Sequence, residues 1–347
     1  MPEVGSYDHL FSEDMYIASM KETTWGIIGP GKIANKFATA LGMVQGARLG
    51  AIASRDASRG REFALRHGVA TVYEDYAQLA ADPAIDAIYV ATPHGFHAEH
   101  SILCLRNGKA VLCEKPLALN AHEAGAIIAA AREHHTFLME AMWTRFVPLM
   151  RSIMELVASG RIGTVKYIRA DFGFYAAFDP GGRLFNIRLG GGSLLDIGIY
   201  PLFLCVQLLG EPATITAAGR LSPTGSDETC HAILGYANGA TAVVSSTLAC
   251  QTSLSAEIAG TEGIIRIDTS WYKNHRFEWN RTGETVQVVE LEPLVNGFEF
   301  QIREVMDCLD KGLVESPSLP HAFSMLMART MDTIRQQIGV KYLTDES

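Results

Sequence analysis

The chain has 347 residues, beyond the ~100–200 of an ordinary single domain, so two domains are expected. Hydrophobic residues make up 48% and charged residues 19%, which supplies a large core and excludes general disorder. The net charge of −9 repels phosphate backbones and no block of Lys and Arg offsets it, so nucleic acid is excluded as a partner.

Residues 1–22 are acidic at the start and lack the apolar core of a secretion signal, so they read as an N-terminal extension, with Met20 near the start of the folded part. TWGII (24–28) is a short strand running into glycines, and KIANKFATAL behind it is an amphipathic helix with Ile33, Phe37 and Leu41 on one face. RLGAIAS, TVY, DAIYVAT, AVLCEKP and FLMEAMW follow as strands, separated by helical stretches such as HAEHSILCLRNG and AHEAGAIIAAAREHH. Strands and helices alternating at this spacing predict a doubly wound parallel sheet over residues 23–145.

After residue 145 the rhythm changes. One helix (RSIMELVASGRIG) leads into strand after strand, from VKYIRADFGF to TVQVVEL, with Asn238-Gly239 and Glu262-Gly263 at turns. This predicts an α+β domain over 146–347, an open antiparallel sheet with helices on one face, and a C-terminal helix (SLPHAFSMLMARTMDTIRQQIG) placed to pack back on the first domain. The open face, with Val243, Ser245 and Thr247 at alternate positions, predicts a homodimer or higher homo-oligomer. No apolar run approaches the ~18 residues of a bilayer span, so no membrane partner is expected. The six cysteines form no CxxC pair and indicate a reducing compartment; a cytoplasmic location follows by elimination.

Gly29-Pro30-Gly31-Lys32-Ile33-Ala34 matches G-x-G-x-x-A between a strand and a helix, the context that turns a weak motif into a dinucleotide site. Gly29 permits the tight turn, Gly31 lets a pyrophosphate approach the backbone, and Ala34 lets helix and strand pack closely. A plain glycine turn is the bland alternative. The second strand ends in Ser54-Arg55, with Arg59 one turn on, where an NAD site carries an acid. Guanidinium groups there suit a 2′-phosphate, so NADP is favoured over NAD; alternatively Arg55 is a solvated residue and Asp56 reaches the ribose.

Glu114-Lys115-Pro116 follows a buried strand, at the carboxyl edge where open α/β sheets bind ligands. Together GPGKIA, TPHGFHAEH and EKP resemble the Gfo/Idh/MocA family of NAD(P)-dependent oxidoreductases over residues 24 to about 340. The resemblance implies that Lys115 contacts nicotinamide and substrate, that Lys115-Pro116 is cis, and that Thr92, Pro93, His94 and His97 lie beside the nicotinamide ribose. It places the strand leading to Trp143, Arg145 and Phe146 under the nicotinamide, where these residues line the substrate pocket. The bland alternative is a strand that only packs between the domains; Glu114 is counted with Trp143 and Arg145 among the cofactor-binding residues.

GGGSLLDIGIY (190–200) carries Asp196 and Tyr200 where the family has Asp and then His four residues later. With EAMWTRF (140–146), this resembles the branch of dimeric dihydrodiol dehydrogenases and NADP-dependent D-xylose 1-dehydrogenases. The chemistry then expected is hydride transfer at a sugar or diol carbinol, of aldose 1-dehydrogenase or trans-dihydrodiol dehydrogenase type. Tyr200 is the acid/base, and Lys115 lowers its pKa from the ordinary ~10. Asp196 hydrogen-bonds the substrate or fixes the lysine. The bland alternative makes Asp196 part of a capping box with Ser193 and Tyr200 a core aromatic. Phe172, Phe174, Asn186 and Arg188 precede this helix and are expected to shape the substrate pocket. His94, His97 and His100 recur every three residues, but no carboxylate except Glu99 joins them at good spacing and the chemistry does not need a metal, so none is expected. None of the eleven tyrosines has Lys four residues later, which excludes a short-chain dehydrogenase; a catalytically silent nucleotide or sugar sensor of the same fold is the competing function.

Overall fold

The computed structural model describes residues 22–346. The expected extension, with Met20, lies outside them except for Glu22.

Six parallel strands form the first sheet: β1 (Thr23–Ile28), β2 (Ala47–Ala53), β3 (Thr71–Tyr73), β4 (Ala87–Val90), β5 (Ala110–Glu114) and β6 (Leu138–Ala141). Their order is β3-β2-β1-β4-β5-β6, so the chain reverses direction of travel across the sheet between β1 and β4. A crevice opens at that point, outside the carboxyl ends of the strands. β1 and β4 are buried throughout, as continuous apolar runs covered on both faces must be. Helices α1 (Lys32–Leu41), α2 (Ala57–His67), α3 (Tyr76–Ala81), α4 (His97–Arg106) and α5 (Ala121–Glu133) supply the cover. On α1, Ala34, Phe37 and Leu41 face the sheet, and Phe37 stacks on Tyr89 of β4 with ring centres 3.8 Å apart.

After α6 (Pro148–Ala158) comes a sheet of eight: β7 (Val165–Gly173), β8 (Thr214–Leu221), β9 (Asp227–Gly235), β10 (Thr241–Thr247), β11 (Ala256–Gly260), β12 (Gly263–Ile267), β13 (Arg276–Arg281) and β14 (Gln287–Glu290). The order is β14-β13-β12-β11-β7-β10-β9-β8. The sheet is mostly antiparallel, as expected, but β7 and β10 run parallel, with Tyr167 beside Thr241. Parallel neighbours need a long crossover. Here α7 (Ile199–Leu209) and the β8–β9 hairpin provide it. α7 lies against β7 and β10 on one face, and the long helix α9 (His321–Ile338) packs on β8 and reaches α5 and β6. Glu299–Asp310, a stretch to which the sequence pattern assigns no element, forms α8.

By length and composition Ile187–Leu209 is apolar enough to cross a bilayer, with mean hydropathy 1.7, contrary to the expectation that no run comes near. It is 83% buried within the protein, which makes it the core helix of the second half. On the uncovered face of the sheet Val243 and Ser245 are half-buried and Ile233 is 52% exposed. Thr247 departs from the pattern: it is buried and its hydroxyl meets that of Thr229 at 2.9 Å.

Candidate active site

The glycine turn between β1 and α1 forms one end of a cleft of about 980 Å³ that runs to the face of the second sheet. Gly29 has φ +94°, and a methyl group there would come within 3.1 Å of the Ala91 carbonyl oxygen, so only glycine suits the position. At Gly31 the same methyl group would meet nothing nearer than 3.9 Å; it would fill the cradle a phosphate needs. The N-terminus of α1 carries no side-chain cap and no acid in its first turn, which leaves its N–H groups and dipole for an anion. Lys32, Ile33, Ser54, Arg55 and Arg59 line this end. Arg55 reaches across the rings of Tyr76 (5.9 Å) and Phe96 (5.3 Å). Asp56 caps α2, where one of its oxygens accepts from the backbone N–H of Ser58 and of Arg59. These residues fit a nicotinamide dinucleotide.

At the carboxyl end of β5 the chain turns through a cis Lys115-Pro116 bond. Lys115 is only 8% exposed, and its Nζ donates to the Asp196 carbonyl oxygen at 2.5 Å and lies 3.6 Å from Asp196 Oδ1. The same ammonium stands 5.0 Å from the centre of the Tyr200 ring, so both groups face one side of the cleft. Arg183 donates to Asp196 Oδ1 at 2.9 Å from a loop after β7. Burial opposes the charge on Asp196, but Lys115, Arg183 and His94 overcome it and hold the carboxyl well below the usual range. Burial also opposes the charge on Lys115, yet Tyr200, Asp196 and Glu114 together raise its pKa, so it stays an ammonium.

Tyr200 departs from expectation. Burial raises its pKa and Glu114 adds to that; the downward pulls of Lys115 and of the Trp143 hydrogen bond are outweighed. Tyr200 is therefore a phenol at neutral pH. Trp143 Nε1–H donates to Tyr200 Oη at 3.1 Å, and indole is a donor only, so the phenol accepts there and keeps its own O–H to give elsewhere. Glu114 accepts a short bond from the Tyr89 hydroxyl and another from the Lys115 backbone N–H at 3.2 Å. His94 Nδ1 lies 3.0 Å from the Gly190 carbonyl; burial and His97 push its pKa down to about 3, so the ring is neutral and presents Nε2 as an acceptor.

Thr92, Pro93, His94, Glu114, Lys115, Trp143, Phe172, Phe174, Asp196 and Tyr200 line the cleft with the turn residues. Five expected contacts are absent from it. His97 is wholly buried behind the wall, its ring nitrogens 2.8 Å from the Pro116 carbonyl and 2.9 Å from the Thr92 carbonyl. It bridges two loops and does not line the cleft. Arg145 and Phe146, in the turn after β6, do not line the cleft; the Arg145 guanidinium stands 5.9 Å from the centre of the Phe146 ring. Asn186 accepts from the Arg188 backbone N–H and caps a short turn, and Arg188 points to solvent. Their places are taken by Arg183, Leu189, Tyr272, Lys273, Phe298 and, from α1, Lys36, whose ammonium stands 4.5 Å from the Trp143 ring and 4.3 Å from Phe298. Tyr272 stacks on Phe172 at 4.4 Å, which completes an aromatic wall around the Tyr200 hydroxyl. Lys36, one turn after Lys32, was reachable from helical spacing; Arg183 and Tyr272 come from loops with no periodic signal. No cluster of potential metal ligands occurs among the described residues.

A model of the oxidoreductase family with NAD-binding Rossmann fold, Gfo/Idh/MocA, matches residues 23–142, and one of the Gfo/Idh/MocA C-terminal domain matches residues 150–266. The trans-1,2-dihydrobenzene-1,2-diol dehydrogenase of Xenopus tropicalis is 40% identical over 333 residues, covering 92% of this chain and 99% of that protein. An aldose-aldose oxidoreductase from Caulobacter crescentus superposes with a TM-score of 0.84 at 26% identity, covering 91% of this chain and 97% of that one. A 3-ketoreductase from Actinomadura kijaniata, solved with NADP, superposes with a TM-score of 0.83 at 26% identity, covering 92% and 98%.

Proposed function

The chain belongs to the Gfo/Idh/MocA oxidoreductase family, and from that premise we propose that it is an NADP-dependent dehydrogenase of a sugar or trans-diol carbinol, with Tyr200 handling the proton. That it is an NAD(P)-dependent dehydrogenase acting on CH–OH groups follows from its relatives. The finer reading is carried by one observation: a buried phenol and a buried ammonium share one side of the cleft, with ring centre and Nζ 5.0 Å apart.

When bound, the nicotinamide supplies the hydride acceptor or donor. The protein's own part is the proton and the placement. As the carbinol C–H bond breaks, the hydroxyl proton passes to Tyr200 Oη; in the reverse direction the phenol gives it to the carbonyl oxygen. Tyr200 is a phenol at neutral pH, so reduction finds it ready. Oxidation needs the phenolate, which Lys115 stabilises as it forms. Asp196 and Arg183 hold Lys115 in position, and the aromatic wall of Trp143, Phe172 and Tyr272 receives the apolar face of a ring and excludes water.

The exposed guanidinium groups of Arg55 and Arg59, and the use of Asp56 as a helix cap, support NADP over NAD. The same reading takes residues 23–145 as the nucleotide-binding domain and 146–347 as the substrate and oligomerisation domain, in a cytoplasmic homodimer covering the open sheet face around Ile233 and Val243. Light scattering that returns a monomer mass overturns the dimer. Initial rates with NADP and NAD across pentoses, hexoses and trans-diols test the activity: the expected result is NADP reduction with at least one class. Tight nucleotide binding with no hydride transfer on the whole panel would instead make the protein a sensor.

A further inference from the structure

The helix that carries Asp196 and Tyr200 starts irregularly. Pro201 has no N–H, so the Ile197 carbonyl, four residues earlier, lacks its normal helical partner. The chain answers with one wide, π-type turn over Leu194–Gly198 before α7 begins. A π-type turn bonds residues five apart instead of four, so its register differs from that of the α-helix it leads into. That register decides where the Asp196 carbonyl meets Lys115 and where the Tyr200 hydroxyl points.

Asp227, at the start of β9, sits at the head of this turn. It is 0% exposed. Its Oδ2 accepts from the Ser193 hydroxyl at 2.7 Å and from the Leu194 backbone N–H at 2.7 Å. Ser193 Oγ in turn lies 2.9 Å from Ser246 Oγ on β10. The other oxygen, Oδ1, has no partner among the described residues, and a methyl group on Gly192 (φ +138°) would strike it at 2.2 Å. A carboxylate held this deep with one oxygen unpartnered is costly, and the two bonds to its other oxygen offset only part of that. What these bonds reach is the first N–H and the side chain that lead into the wide turn.

We infer that Asp227 is a positioning residue for the reaction: through Ser193 and the Leu194 N–H it fixes the register of the wide turn, and so the meeting of Asp196 and Tyr200 with Lys115. This rests on the reading in which Tyr200 handles the proton. Asp227 itself does not line the cleft.

The test compares Asp227→Ala, Asp227→Asn and Tyr200→Phe in the full chain, with rates normalised to nucleotide-binding sites. Misplacement on the order of 1 Å costs up to about 10²-fold, so Asp227→Ala is expected to lose roughly 10- to 100-fold in kcat with nucleotide Kd unchanged within about twofold. Asp227→Asn keeps an acceptor for both donors and is expected to recover most of that loss. A folded Asp227→Ala with undiminished kcat, or equal losses in the Ala and Asn variants, overturns the inference. If Asp227→Ala does not fold, Ser193→Ala decides: a several-fold fall in kcat at unchanged nucleotide Kd supports the inference and an unchanged kcat ends it. Undiminished turnover in Tyr200→Phe would instead remove the underlying reading, which keeps the two failures apart.

Discussion

The two ends of the cleft are built on opposite principles. At the glycine turn the working parts are backbone N–H groups and exposed cations; Lys32, Arg55 and Arg59 are all open to solvent. At the other end Lys115, Asp196 and Tyr200 are 8%, 6% and 6% exposed and hold one another's protonation states. Exposed charges act weakly and are screened by salt, whereas buried networks act strongly and fail together. Under the proposed function, one end is then expected to lose a side chain and still bind, and the other to stop turning over when it loses one.

The largest effect that would break this contrast is at the buried end. Tyr200→Phe is expected to lower kcat about 10²–10⁴-fold, the span of general acid–base catalysis, while nucleotide affinity from fluorescence titration stays put. Next comes pH. Because burial holds the Tyr200 pKa above its ordinary value, the phenolate fraction grows about tenfold per pH unit below that value. Carbinol oxidation should thus climb from pH 7 to 9 without a plateau, and carbonyl reduction should stay flat over the same window. A plateau in oxidation below pH 8 would mean a different base. At the exposed end, Arg55→Ala should raise the Kd for NADP roughly 10- to 100-fold, the equivalent of about 1.5–3 kcal/mol for a charged hydrogen bond, and leave that for NAD unchanged. The difference should shrink in high salt; an Arg55→Ala variant that keeps its NADP preference moves the 2′-phosphate elsewhere. Smallest is Asn186→Ala, which removes a turn cap outside the cleft: about 1 kcal/mol of stability by urea unfolding, and kcat within threefold of the parent.

The nucleotide half was legible because its signals are local. A buried strand, a glycine turn and an amphipathic helix each show in a few consecutive residues, and Lys32–Leu41 and Thr71–Tyr73 fall on the stretches the pattern marks. The second half gave up its strands by alternation but not their partners: nothing in VKYIRADFG says that its neighbour, Thr241–Thr247, runs parallel to it. The reacting end was half legible. Lys115, Asp196 and Tyr200 stood out by motif, and the structure brings them together. Arg183, Tyr272 and Asp227 reach the site or its support through loop geometry and strand order, which leave no mark in composition or period. The direction of the Tyr200 shift was missed for a related reason: an approaching cation is visible in a motif, while the depth of burial that outweighs it is a property of the packed chain.

The bond from the Trp143 indole to Tyr200 gives the protein a built-in optical gauge. Indole emission responds to whatever its N–H is bonded to, and this N–H is bonded to the oxygen we propose to trade the proton. Of the four tryptophans only Trp143 lines the cleft. With Trp25, Trp271 and Trp279 replaced by phenylalanine, the colour of the remaining emitter would track that oxygen's charge in real time, without any coupled assay.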